Sequence, residues 1–136
     1  VYRLWRRIRP QAEPLRTISL PRKELSGHVI VAGAGRTGRV IAGMLRDAHI
    51  PYVAIELEYA EAMRLRSEGH PVIWGDAGNP VILEAANVAD ARLLVIAFPD
   101  PAGARVAVVE GRRANPTMRI VARAAYGSHV RQLREL

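Results

Sequence analysis

The stretch HVIVAGAGRTGRVIAGML, residues 28–45, limits what the chain can fold into more than any other feature. A short, almost wholly apolar run (28–32) leads straight into Gly33, Gly35 and Gly38, spaced as G-x-G-x-x-G. An apolar run that ends at glycine reads as a strand covered on both faces. The residues after the glycines have helical spacing, with Val40, Met44 and either Ile41 or Leu45 expected on the inner face and Arg39 and Arg46 turned outward. Strand, glycine turn and helix in that order open a βαβ unit, and only in that context does the glycine spacing carry meaning.

The alternation continues to the end of the chain. Apolar runs at YVAIE (52–56), PVIW (71–74), RLLVIAF (92–98) and RIVARA (119–124) are separated by helical stretches at 59–69, from Asn79 onward, and at 101–115. Asn79 is placed to cap its helix with Pro80 at the first position, and Gly69 to end the helix before it. SHVRQLREL (128–136) starts another helix, and the chain stopping inside it suggests a piece of something larger. Strands without polar alternation imply a parallel sheet wrapped by helices on both faces. Right-handed crossovers then predict a doubly wound, Rossmann-like α/β sheet of five or six strands, ordered 3-2-1-4-5.

A chain of 136 residues holds one such unit and little else. With no cysteine, disulfides, thiolate metal sites and cysteine nucleophiles are excluded, and the four histidines lack ligand spacing, so no metal is expected. The net charge of +7 is concentrated at the start: residues 1–23 hold seven basic side chains and one acidic, whereas the remainder holds thirteen and twelve. No base-reading motif or stacking platform accompanies that tail, which argues against nucleic acid. VYRLWRRIRP, with Tyr2 and Trp5 among arginines, has the composition found just past the cytoplasmic end of a membrane helix; a solvated arm is the other reading. Pro10, Pro14 and Pro21 mark residues 1–26 as a linker.

The candidate site lies at the carboxyl ends of the strands. Gly33 permits a tight turn, Gly35 a close approach of backbone to phosphate, and Gly38 close packing of helix on strand, with phosphates meeting the amides of Arg36 and Thr37. Glu56, eighteen residues after Gly38, ends the second strand, where a carboxylate accepts from ribose hydroxyls and repels a 2′-phosphate. That favours NAD or a plain adenine nucleotide over NADP. In WGDAGNP, Asp76 is placed to reach an adenine amino group, and AFPDP sets Phe98 and Asp100 on the other side of the crevice.

Taken as an ordered series, HVIVAGAGRTGRVIAGML, VAIELE, VIWGDAGNPVILEAANVADARLLVIAFPD and MRIVARA resemble the RCK (KTN, TrkA-N) domain, most of all the form at the cytoplasmic C-terminus of Kef-type monovalent cation:proton antiporters. The resemblance covers residues 27–136. It implies a regulatory NAD(H), AMP, ADP or ATP ligand held by Gly33, Gly35, Arg36, Thr37, Gly38, Glu56 and Asp76 with Ala77. It also implies a homodimer or higher homo-oligomer, a transmembrane cation transporter upstream of Val1 joined through the basic linker 1–26, and a place at the cytoplasmic face of a bacterial inner membrane. Glutathione sensing, known for some members, is not carried over. No positioned acid, base or nucleophile is visible for catalysis, so the domain reads as a sensor and not an enzyme. The alternatives are a free-standing Trk-type potassium-uptake regulatory subunit and the cofactor half of an NAD-dependent dehydrogenase.

Overall fold

The computed structural model describes residues 25–123; the basic segment and the helical pattern at 128–136 lie outside them. Ten elements follow in strict alternation but for one short turn. They are β1 (Val29–Ala32), α1 (Arg36–Asp47), β2 (Tyr52–Glu56), α2 (Tyr59–Ser67), β3 (Val72–Trp74), α3 (Pro80–Ala85), a 3-10 turn (Val88–Asp90), β4 (Leu93–Ile96), α4 (Pro101–Ala114) and β5 (Arg119–Ala122). The strands form one five-stranded sheet of order β3-β2-β1-β4-β5, parallel throughout, as predicted. Ala32 pairs with Ile55 on one side and Ile96 on the other, so the carboxyl ends of β1, β2 and β4 are level.

Both sheet faces are covered. Ile30, Ala32, Val53, Ile55, Ile73, Leu94 and Ile96 point into a core closed by Leu83 of α3 and Ala104, Ala107 and Val108 of α4. On the other face, Val29, Val31 and Tyr52 meet Ile41, Ala42 and Leu45 of α1, while Ala54 and Val72 meet Ala62 and Leu65 of α2. Leu94 and Ile96 are fully buried, each contributing about 2 kcal/mol by removal from water. Asn79 caps α3 by accepting from the Val81 amide at 2.9 Å, with Pro80 at the first position, and Gly69 follows α2 at φ +90°.

The face of α1 differs from the expectation. Val40 and Met44 are exposed, at 57% and 65%, and the helix buries Gly38 and Ala42 with Ile41 and Leu45 beside them. The cause is Gly38: a Cβ there would lie 1.8 Å from the Gly33 carbonyl oxygen, so the helix touches the turn through Gly38 and its rotation is set. Residues three, four and seven positions on, Ile41, Ala42 and Leu45, then share that inward face. Arg39 is only half exposed, because its guanidinium pairs with Glu68 after α2. The 3-10 turn, unforeseen, begins at Asn87 with φ +50° and is held by buried Asn115, whose amide donates to the carbonyls of Val88 and Ala91 at 2.9 Å each.

Two of the four histidines, each just before a strand, are buried. His28 precedes β1 and its Nε2 lies 2.7 Å from the Ala86 carbonyl oxygen, tying the start of β1 to the end of α3. His70 precedes β3, with its Nδ1 at 2.7 Å from the Tyr52 hydroxyl. Burial, and then the Arg46 guanidinium, hold His70 below the ordinary histidine range, while burial first holds the Tyr52 phenol above its own. The phenol and the imidazole thus share a hydrogen bond between two groups whose neutral forms are favoured. As pH falls below about 6.5 the unfolded chain takes up a proton that folded His70 resists, so stability present above that pH is lost. Thermal melts should show the melting temperature dropping between about pH 7.5 and pH 5.5, and dropping less in His70→Gln; equal slopes would mean that His70 does not control this range.

Candidate functional site

The site is built from three strand ends and the turn after β1. Gly33 has φ +100°, a conformation that favours glycine, and its amide donates to the Ile55 carbonyl at 2.8 Å. The chain then reverses through Ala34 and Gly35 into α1. Gly35 is the N-cap, with no side-chain cap, and no acidic residue stands in the first turn. The first amides of α1, those of Arg36, Thr37 and Gly38, have no partner within the helix, as at any helix start. A Cβ on Gly35 would meet nothing within 4 Å. The positive end of α1 therefore faces open space, suited to an anion.

Glu56 ends β2 and is 7% exposed. One carboxylate oxygen accepts from the Ala34 amide at 2.7 Å, and the other from the Glu58 amide at 2.5 Å. The acid is thus fastened to the glycine turn itself, which its position in the sequence did not reveal. A carboxylate has about four lone-pair sites, so two backbone bonds leave acceptor capacity for hydroxyls. Leu57, next in the chain, is 62% exposed, and its carbonyl accepts from the Trp74 indole at 3.0 Å. The Trp74 ring in turn packs edge-to-face on Tyr59, with centroids 4.8 Å apart. Ala34, Leu57, Trp74 and Tyr59 are not found by reading motifs alone. Only the W before GDAGNP hints at them.

Asp76 is exposed just past β3, and its Oδ1 accepts from the Gly78 amide at 2.8 Å, forming a side-chain turn. The Ala77 side chain is buried at 5% in the core, so only its backbone is available to a ligand. Past β4, Phe98 is half buried against the core, and Asp100 caps α4 by accepting from the Gly103 amide at 3.1 Å. The glycine turn, Glu56, Phe98 and the start of α1 are brought together; Asp76 and Asp100 stand exposed on either flank of the crevice. A separate open groove of about 490 Å³ runs between α1 and α2 and shares only Gly35 and Arg36 with the crevice. Of its four arginines, Arg36, Arg39, Arg46 and Arg64, Arg39 pairs with Glu68 and Arg64 with Glu61. Among the described residues no cluster of three or more His, Cys, Asp or Glu side chains could hold a metal ion, and no helix is long and apolar enough to cross a membrane.

Sheet order, glycine turn and strand-end carboxylate place the molecule in the class of Rossmann-like α/β domains. Residues 29–136 match the TrkA-N domain, and the chain belongs to that family. It is 32% identical, over 91% of its length, to the glutathione-regulated potassium-efflux system protein KefC of Cronobacter sakazakii, and spans 22% of that protein's length. Solved structures are similar as well, two of them at 30% identity or more. The TrkA-N domain of the inner membrane protein ybaL of Escherichia coli superposes with a TM-score of 0.78 at 30% identity, covering 82% of this chain and 83% of that one. The Kef C-terminal domain of Shewanella denitrificans in AMP-bound form gives 0.70 at 32%, covering 79% and 65%.

The glycines should respond differently to a methyl group. Gly38→Ala forces a backbone clash that only movement of α1 relieves, and should destabilise the fold by about 3 kcal/mol, the upper end for overpacking. Gly35→Ala, with open space around it, should cost less than about 1 kcal/mol. Urea denaturation of the two variants beside the parent checks both; equal losses would mean that α1 is not seated through Gly38.

Proposed function

We propose that this chain is the nucleotide-reading regulatory domain of a monovalent cation:proton antiporter of the potassium-efflux kind, acting from the cytoplasmic face of a bacterial inner membrane. The observation that carries the reading is the bond from the Ala34 amide to Glu56. It holds a ribose-reading carboxylate against the turn whose helix start suits phosphate, in a chain of the TrkA-N family. An adenine nucleotide, NAD(H), AMP, ADP or ATP, would lay its phosphate on the amides of Arg36 and Thr37, its ribose on Glu56 and its base toward Asp76 and the Ala77 backbone. The AMP-bound form of the Shewanella denitrificans relative supports a ligand of that kind.

In this reading residues 1–26 are the basic juxtamembrane linker, residues 27–136 the sensing domain, and the transporter precedes Val1. A homodimer or higher homo-oligomer carries the response. Ligands act by preferring one geometry of the strand-end crevice, since a ligand shifts an equilibrium only by its differential affinity for the two states. The role is regulatory and not enzymatic: the strand-end carboxylates Glu56, Asp76 and Asp100 already accept from backbone amides, which suits them to hold and orient.

Calorimetric titration with AMP, ADP, ATP, NAD and NADH, followed by a hydride-exchange assay on those that bind, tests the reading. Binding without turnover is expected. Glu56→Gln, which keeps the side chain's length and one acceptor oxygen, should weaken binding by about 1.5 to 3 kcal/mol, roughly ten- to 150-fold in Kd. Unchanged affinity would remove Glu56 from the site, and turnover would favour the dehydrogenase alternative.

A further inference from the structure

The crevice at the point where strand order reverses, between β1 and β4, is where a doubly wound domain receives the second half of a dinucleotide. In this chain an aromatic ring stands there. A Cβ built on Gly33 would lie 3.1 Å from the Phe98 amide nitrogen and 3.2 Å from ring atom Cδ1; one built on Gly103 would lie 3.3 Å from Cε2. Those two ring atoms are diametrically opposite. The ring therefore spans the gap from the glycine turn after β1 to the first turn of α4, with a position that carries no Cβ at each edge.

The backbone under the ring is fixed as well. Ala97 donates to the Ala32 carbonyl at 2.8 Å, and Phe98 packs against the core that contains Ile96 and Ala104. Beside the ring, the Asp100 carboxylate is bound to the Gly103 amide and would lie 2.7 Å from a Cβ on Gly103. A second nucleoside crossing to the β4 side would meet an aromatic wall and then an anion. On the β2 and β3 side the rings of Trp74 and Tyr59 pack on each other, Glu56 stands at the turn, and Leu57 and Asp76 are exposed.

From this geometry we infer that Phe98 selects the ligand class: the site takes an adenine mononucleotide, AMP or ADP, and excludes the nicotinamide half of a dinucleotide. The inference rests on the proposed nucleotide site and narrows it. A domain so built reads the phosphorylation state of adenosine and not the redox state of a nicotinamide cofactor. The phosphate chain of a mononucleotide would leave past Arg36, an exposed cation at the start of α1.

The test is calorimetric titration of the 136-residue chain with AMP, ADP, ADP-ribose and NAD, repeated on Phe98→Ala and Phe98→Leu, with circular dichroism to establish folding. The expected result is that the parent binds ADP at least tenfold more tightly than ADP-ribose or NAD, and that both variants narrow the gap to threefold or less by gaining affinity for the larger ligands. Phe98→Leu keeps an apolar side chain on the core, so it reports even if Phe98→Ala does not fold. NAD or ADP-ribose binding the parent as tightly as ADP would overturn the inference and leave the nucleotide site standing, as would a gap that neither variant narrows. If none of the four ligands binds, the nucleotide site itself fails and the inference with it.

Discussion

The structure depends on one close approach, that of Gly38 in the first turn of α1 to the carbonyl of Gly33 at the end of β1. No side chain fits between them. The contact seats the helix start on the turn, and with the rotation set there, Ile41, Ala42 and Leu45 go to the sheet while Val40 and Met44 go to solvent. It also aims the first amides of α1 at the strand ends. Core packing on one face and the anion-facing helix start on the other are thus two results of the same absence of a Cβ.

The strand ends show a second regularity. Glu56 ends β2, Asp76 and Asp100 follow β3 and β4, and each accepts a hydrogen bond from a backbone amide. A buried carboxylate without partners would be costly, and Glu56 avoids that cost through Ala34 and Glu58. The carboxylate is thereby held in one position, and a group ordered in advance adds less ordering cost to any binding event. Asp76 and Asp100 are exposed and order short turns, holding the lips of the crevice in place. The carboxylates act as braces first, with lone pairs left for a ligand.

Much of this is legible in the sequence, for particular reasons. The apolar runs at 28–32 and 52–56 fit strands buried on both faces, so parallel topology and strand order follow from general rules. Asn79 with Pro80 announces a helix start because the capping bond is local. The inner face of α1 is not legible, because helical spacing gives a period but not a phase, and apolar Val40 and Met44 compete with small Gly38 and Ala42 for the inward position. The buried settings of His28 and His70 are hidden because their partners, Ala86 and Tyr52, are distant in the chain.

The sequence by itself determined the strands and the α-helices between them, their order, the glycine turn and the presence of an acid at the end of β2, since each rests on local preferences or on period. Tertiary structure alone decided which way α1 faces, that Glu56 is tied to Ala34 across 22 residues, that Trp74 holds the Leu57 carbonyl, and that Phe98 lies between Gly33 and Gly103. Such contacts depend on register and packing between strands that are neighbours in space and not in the chain, and no local pattern encodes the distance between them.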